Sequence, residues 1–87
     1  MKLMRSHRKG KRFMVEINGE TLHFGSSVGR TYIDHKDKQK RQNYLARHRV
    51  REDWTKINAG SLSRWLLWGN STSLQQNIKE YKKRFNI

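Results

Sequence analysis

The sequence has no cysteine, few acids and no long apolar run. Without cysteine there is neither a disulfide framework nor a thiolate zinc site, and a reducing compartment fits that usage. The longest apolar run is the four residues Trp65–Trp68, against the ~20 needed to span a bilayer. Met1–Arg12 contains no continuous apolar stretch of the kind a secretory signal requires, so a soluble, non-secreted protein is expected. At 87 residues the chain is expected to form one domain that buries only roughly 60–65% of its unfolded surface. A few large side chains must then carry its stability. Phe13, Phe24, Tyr32, Tyr44, Trp54, Trp65, Trp68, Tyr81 and Phe85 are available for this.

What the chain has in excess is positive charge. Twenty Lys and Arg stand against seven Asp and Glu, a formal net charge of +13. A field of that sign attracts polyanions, and the counterions they release drive association. Duplex DNA, RNA and an anionic membrane surface are the candidate partners, with nucleic acid favoured and no membrane association expected. The competing class is a structural subunit that neutralises acidic proteins in a larger assembly.

Residues 1–12, MKLMRSHRKGKR, hold six basic residues and no acid: Lys2, Arg5, Arg8, Lys9, Lys11 and Arg12. With Leu3 and two methionines as the apolar groups, this arm is expected to be flexible and disordered until bound, leaving 13–87 as the folded domain. RFMVEINGETLHFG then carries a hairpin signal, because Asn18-Gly19 suits a type I′ turn in which both central residues take positive φ. That turn pairs Ile17 with Glu20, Val15 with Leu22 and Phe13 with Phe24, and places Phe13, Val15, Leu22 and Phe24 on one face. Such a face must pack on something. Thr31–Ile33 is a candidate third short strand, or a segment that only tucks Tyr32 or Ile33 into the core.

Asp34 is a candidate N-cap for a helix from His35 to about Val50, a segment that lacks Gly and Pro. Its apolar stripe is thin, Tyr44, Leu45 and His48 with Arg41 and Glu52 extending it, and its remaining faces are basic. A short helix Leu62–Trp68 is expected next, started by Ser61 and stopped by Gly69. A last helix follows, with Thr72 and Gln75 as a capping box and Leu74, Ile78, Tyr81 and Phe85 as its stripe. The fold class is therefore α+β: an N-terminal hairpin, or three short strands, packed on three helices. In SRWLLWG, Leu62, Trp65 and Leu66 form a core stripe. Leu67 and Trp68 fall outside that sector, so the helix is apolar almost all round and is expected to be buried on several sides. An exposed Leu67 or Trp68 that serves a partner or stacks on a base is the alternative.

The segments YLARHRVREDW, SRWLLWG, IKEYKKRFNI and LHFG…YIDHKDKQKRQNYLARH resemble a family of small basic proteins encoded by giant (nucleocytoplasmic large) DNA viruses of algae and amoebae. The resemblance spans roughly Phe13–Ile87. It implies a viral setting, in the particle or in the nucleus or cytoplasmic factory of an infected cell, where a DNA genome is expressed or compacted. No activity is assigned to that family, so the resemblance gives no residue a role.

Chemistry beyond binding finds little support. His35 and His48 lie nearly four helical turns apart, His23 sits on the hairpin, and no HxxxH or HExxH spacing occurs, so no metal is expected. The clustered acids, Asp34 with Asp37 and Glu52 with Asp53, are accounted for as a helix cap and as neighbours of Arg49 and Arg51. No phosphate loop or nucleophilic triad is present. No catalysis and no cofactor are expected.

The informative feature is the run Lys36, Lys38, Lys40, Arg41, Arg47, Arg49 and Arg51, which has no acid between Lys38 and Arg51. Uncompensated like charge opposes folding, which points to a polyanion as the missing counter-charge. The arm cations are the second set, since such arms can follow a phosphate backbone or enter a minor groove. Arg41, Asn43 and Arg47 can reach base edges in principle. With no helix-turn-helix, zinc-finger or basic-zipper pattern present, sequence-tolerant contact with phosphates is the expected mode. The expected role is compaction or organisation of viral DNA, with a minor virion component or an RNA- or ribosome-binding protein as the alternatives.

Overall fold

The computed structural model describes residues 1–87. Strands β1 (Lys2–Arg5), β2 (Lys11–Ile17) and β3 (Glu20–Ser26) form an antiparallel sheet in that order. Asn18 and Gly19 both take positive φ, 53° and 79°, as the tight β2–β3 turn requires. The register is the one read from the turn: Phe13 faces Phe24, Val15 faces Leu22 and Ile17 faces Glu20. Val15 and Phe24 are fully buried.

The basic arm is not a disordered tail. Leu3 pairs with Val15 and Arg5 with Phe13, so the folded domain begins near residue 1 rather than at 13. Backbone hydrogen bonding does what the arm's few apolar groups cannot do alone, because β2 would otherwise present an unpaired edge. The Ser6 N–H donates to Arg12 O (3.0 Å) and the Lys11 N–H to Arg8 O (3.2 Å). Gly10 turns the chain at φ 84°, and the Ser6 hydroxyl shares a 2.8 Å hydrogen bond with His23 Nδ1. Met1 and Leu3 also pack against the core.

The third strand is thus β1 and not Thr31–Ile33, which instead opens the short helix α1 (Tyr32–His35). Asp34 does not cap a long helix. It lies within α1, where its carboxylate accepts from the Thr31 N–H and hydroxyl, both at 2.8 Å. The expected continuous helix breaks at Lys36, which takes φ 58°. Asp37 then caps α2 (Lys38–His48), accepting from the N–H groups of Gln39 (2.9 Å) and Lys40 (3.2 Å).

α3 (Ala59–Leu62) is capped by Asn58 rather than Ser61 and runs directly into a π-helical segment, Ser63–Leu67. The last helix, α4 (Leu74–Phe85), is capped by Ser73, one residue later than the Thr72 box places it. Val15, Ile17 and Phe24 from the sheet meet Leu62, Leu66 and Leu67 from the α3–π segment and Tyr81 from α4 in one core. The architecture is α+β, a three-stranded antiparallel sheet followed by helices. No helix is long and apolar enough to cross a membrane.

Asn77, which the apolar stripe of α4 does not include, is almost fully buried. Its amide donates to Leu66 O (3.0 Å) and Ser71 O (2.8 Å), and its Oδ1 accepts from the Ser71 N–H (3.2 Å). It therefore ties α4 to the end of the π-helical segment, where carbonyls lack intrahelical partners.

Candidate nucleic-acid interface

The basic helix α2 is attached through aromatic rings. Tyr44 is buried and stacks on Trp68 on one side (4.3 Å between centroids, 4° between planes) and on His48 on the other (4.1 Å, 23°). Burial, with Glu52 nearby, raises the Tyr44 phenol well above its ordinary pKa. His48 Nδ1 lies 2.9 Å from Glu52 Oε2, and the Trp54 indole donates to Glu52 Oε1 at 2.8 Å.

Arg41, one of the expected contact residues, is drawn into this attachment. Its Nε donates to Trp68 O (3.2 Å) and Gly69 O (2.9 Å), its Nη2 to Asn70 Oδ1 (3.0 Å), and its guanidinium lies over Tyr32. The Trp68 carbonyl also accepts from Arg64 Nη1 at 3.0 Å. Two cations thus meet the carbonyl end of the π-helical segment, where the backbone partial charge is negative. Arg64 is buried against Trp54 and Trp65. Burial first, then the charges of Arg41 and Arg84, lower its pKa to about 10, so it stays cationic at neutral pH. Arg84 lies on Trp65 at 3.6 Å, beside a separate depression lined by Trp54, Trp65 and Phe85.

Arg12, from the arm set, is also consumed internally. It grips Asp34 through two hydrogen bonds, Nη1 to Oδ2 at 2.7 Å and Nη2 to Oδ1 at 2.8 Å, and donates to the Thr31 hydroxyl at 3.2 Å. These bonds hold the Asp34 carboxyl far below the usual carboxylate range.

Leu67 is buried in the core, so it is not a partner contact. Trp68 is half-buried and already stacked.

The other expected contacts remain free. The only ion pairs are Arg12–Asp34, His48–Glu52 and Lys56–Asp53. Lys36, Lys38, Lys40, Arg47, Arg49 and Arg51 are exposed and engage no carboxylate, as are Lys2, Arg5, Arg8, Lys9 and Lys11. They do not form one cluster. At about 100° per residue, Lys40 and Arg47 share one flank of α2, while Lys38 and Arg49 occupy the opposite flank.

Three shallow depressions organise part of this charge. One, of about 300 Å³, is lined by Arg5, Lys11 and Arg12 at the arm. A second, of about 380 Å³, lies between the β3–α1 loop and the α2 and α3 segments, and its lining includes Lys11, Arg30, Tyr44, His48, Glu52 and Trp68. A third, of about 340 Å³, is lined by Arg30, His35, Lys40, Asn43, Arg47 and Trp68. Lys11 belongs to the first two, and Arg30 and Trp68 to the last two. The depressions therefore adjoin, and a path runs from β1 to α2 past Arg5, Lys11, Arg30, Lys40 and Arg47. The cations of α4 line none of the three.

Reasoning from sequence passed over Arg30 and Arg64. Arg30 stands alone in a Gly/Ser loop away from either basic run, and Arg64 sits inside the apolar motif; neither position signals its role. No three His, Cys, Asp or Glu side chains gather as a metal site would require.

The depressions along this path draw nearly all their cations from the first half of the chain, and a family model matches residues 1–48, the sheet with α1 and α2. The chain belongs to DUF5754, a family of unknown function. The matched DUF5754 region contains Arg5, Lys11, Arg30, Lys40 and Arg47, whereas Trp68, which α2 packs against, lies outside it. No curated protein and no solved structure matches the chain.

Proposed function

We propose that this protein binds nucleic acid, with duplex DNA favoured, through sequence-tolerant contacts to backbone phosphates. The observation that carries the reading is the path of cations without carboxylate partners from Arg5 through Lys11 and Arg30 to Lys40 and Arg47, across adjoining depressions. A folded surface that holds cations in a row with one lining acid, Glu52, against them gains stability when a polyanion lies along it. Arg41 is withdrawn from that surface by its bonds to Trp68, Gly69 and Asn70. Arg12, which lines the first depression, is committed to Asp34. Lys36, Lys38, Arg49 and Arg51 would add longer-range attraction rather than fixed contacts.

Under this reading the protein serves compaction or organisation of a viral DNA genome, in the particle or the infected cell, the setting that the sequence resemblance implies. Phosphate contacts fix position without reading sequence, so unrelated duplexes of equal length should bind alike. The test is fluorescence anisotropy with two unrelated duplexes, a structured RNA of equal length and an acidic polypeptide. Comparable tight binding of both duplexes at low salt supports the reading. Binding confined to the RNA or the polypeptide, or to one duplex sequence, contradicts it.

A further inference from the structure

The depression between the β3–α1 loop and α2 is lined by Arg30, His35, Lys40, Asn43, Arg47 and Trp68, and no carboxylate takes part in its wall. Lys40, Asn43 and Arg47 follow at intervals of three and four along α2, which places them on one side of that helix. Arg30 faces them from the loop. One of its guanidinium nitrogens donates to Asp34 O at 3.1 Å, which holds the side chain close to α1 and leaves its other donors free.

Among the neutral members of the wall, Asn43 offers donors. Asn43 Oδ1 accepts from the Gln39 amide at 3.1 Å, so its own amide N–H groups are unused. His35 Nδ1 accepts from the Asp37 N–H at 3.0 Å, which assigns the proton of a neutral imidazole to Nε2. That Nε2 is buried and has no hydrogen-bond partner, so His35 lines the wall with its ring and its donor is closed to solvent. Trp68 is already stacked on Tyr44 and met by the His35 ring. Donors, rather than an open ring face, are therefore what the depression presents to a ligand.

We propose that this depression is a seat for a single phosphate group, with Arg30, Lys40 and Arg47 supplying charge and Asn43 supplying a neutral donor. The proposal rests on the nucleic-acid reading for its biological ligand, a backbone phosphodiester or a terminal phosphate, but its chemistry can be tested without nucleic acid. A seat of this kind would fix the position of α2 on a duplex. Lys38 and Arg49, on the opposite flank, would contribute only to the general field.

The experiment titrates inorganic phosphate into the full chain and follows the His35 imidazole and Trp68 indole by NMR, at constant ionic strength. Saturable shifts of both groups are expected. The variant Lys40→Gln/Arg47→Gln should weaken phosphate binding by about tenfold or more, because it removes two charge-assisted contacts. Lys38→Gln/Arg49→Gln removes the same charge and should change it little. All four positions are exposed, and an unchanged amide spectrum confirms the fold of each variant. Equal weakening by both pairs, or no saturable shift, overturns the seat.

Duplexes with and without 5′-phosphates separate the two sources: equal affinity identifies the backbone, and preference for the phosphorylated ends identifies the terminus. If duplex binding persists while the phosphate titration fails, the seat is wrong and the broader function stands. If phosphate binds and no nucleic acid does, the seat stands and the broader function fails.

Discussion

The Tyr44 and Trp68 rings lie face to face, 4.3 Å between centroids and 4° from parallel. This contact joins the basic helix α2 to the end of the π-helical segment, and Arg41 reinforces it through the carbonyls of Trp68 and Gly69. Replacing Trp68 with Ala removes the stack and leaves α2 with a thin apolar strip. A loss of about 2–3 kcal/mol is expected, at or below the lower end for truncating a buried aromatic because Trp68 is only half-buried. Urea unfolding of the variant measures it. Unchanged stability would mean that α2 is held elsewhere.

The Arg12–Asp34 pair links the sheet to α1 and makes stability depend on pH. Hydrogen bonds from Arg12 are the main cause of the depressed Asp34 pKa. The folded state therefore favours the ionised carboxylate. That stabilisation is full above the unfolded-chain value of about 3.9 and is lost progressively as pH falls through and below it. Asp34→Asn should cost about 1–2 kcal/mol at neutral pH and flatten the acid limb of the stability curve. Thermal unfolding from neutral pH down into the acid range reads both effects. An unchanged acid limb in the variant would show that the pair does not couple protonation to folding.

His23, on β3, is the partner of Ser6. Desolvation, followed by the charges of Arg8, His7 and Lys11, lowers its pKa. Its imidazole should thus titrate below the ordinary value of about 6.5, and stability linked to it should fall as pH drops through that value. Deleting Met1–Arg5 removes β1 and should destabilise the domain by about 2 kcal/mol, since it uncovers the edge of β2 and the contacts of Met1 and Leu3. NMR titration of His23 and urea unfolding of the deletion check the two. A stability unaffected by the deletion would return residues 1–5 to the status of a free arm.

Asn77→Ala leaves the carbonyls of Leu66 and Ser71 without their side-chain donor. The expected loss is about 2–3 kcal/mol, the range for buried polar groups left unsatisfied. Gly69→Ala should be comparably damaging, because a Cβ there would collide with Trp65 O and the Asn77 side chain. Chemical denaturation of both variants provides the comparison. Tolerance of Gly69→Ala would contradict the close packing of α4 against this turn.

The hairpin could be read from the sequence because Asn18-Gly19 sets both the turn and the alternation that follows from it. β1 could not be read that way, since KLMR carries little apolar signal and gains its order from the backbone edge of β2. The break between α1 and α2 was hidden because Lys36, an ordinary helix former, takes the left-handed conformation, while Asp37 is as suited to a first turn as to a cap. The π-helical register of Ser63–Leu67 has no residue signature, and it is this register that buries Leu67 and turns Trp68 towards Tyr44. At the candidate site, the free cations of α2 could be identified from the run itself. Helical spacing puts Arg41 on the attachment strip, but the bonds that commit Arg12 to Asp34 and Arg41 to the Trp68–Asn70 segment join residues distant in the chain.

The most direct test of phosphate-backbone binding is the affinity for a short duplex as a function of salt. Engagement of about six phosphates should lower the affinity by about 10³-fold between about 50 and 200 mM salt. Lys40→Gln/Arg47→Gln should bind more weakly and show a shallower dependence on salt. No binding at low salt, or an affinity indifferent to salt, would contradict a function built on the Arg5-to-Arg47 path.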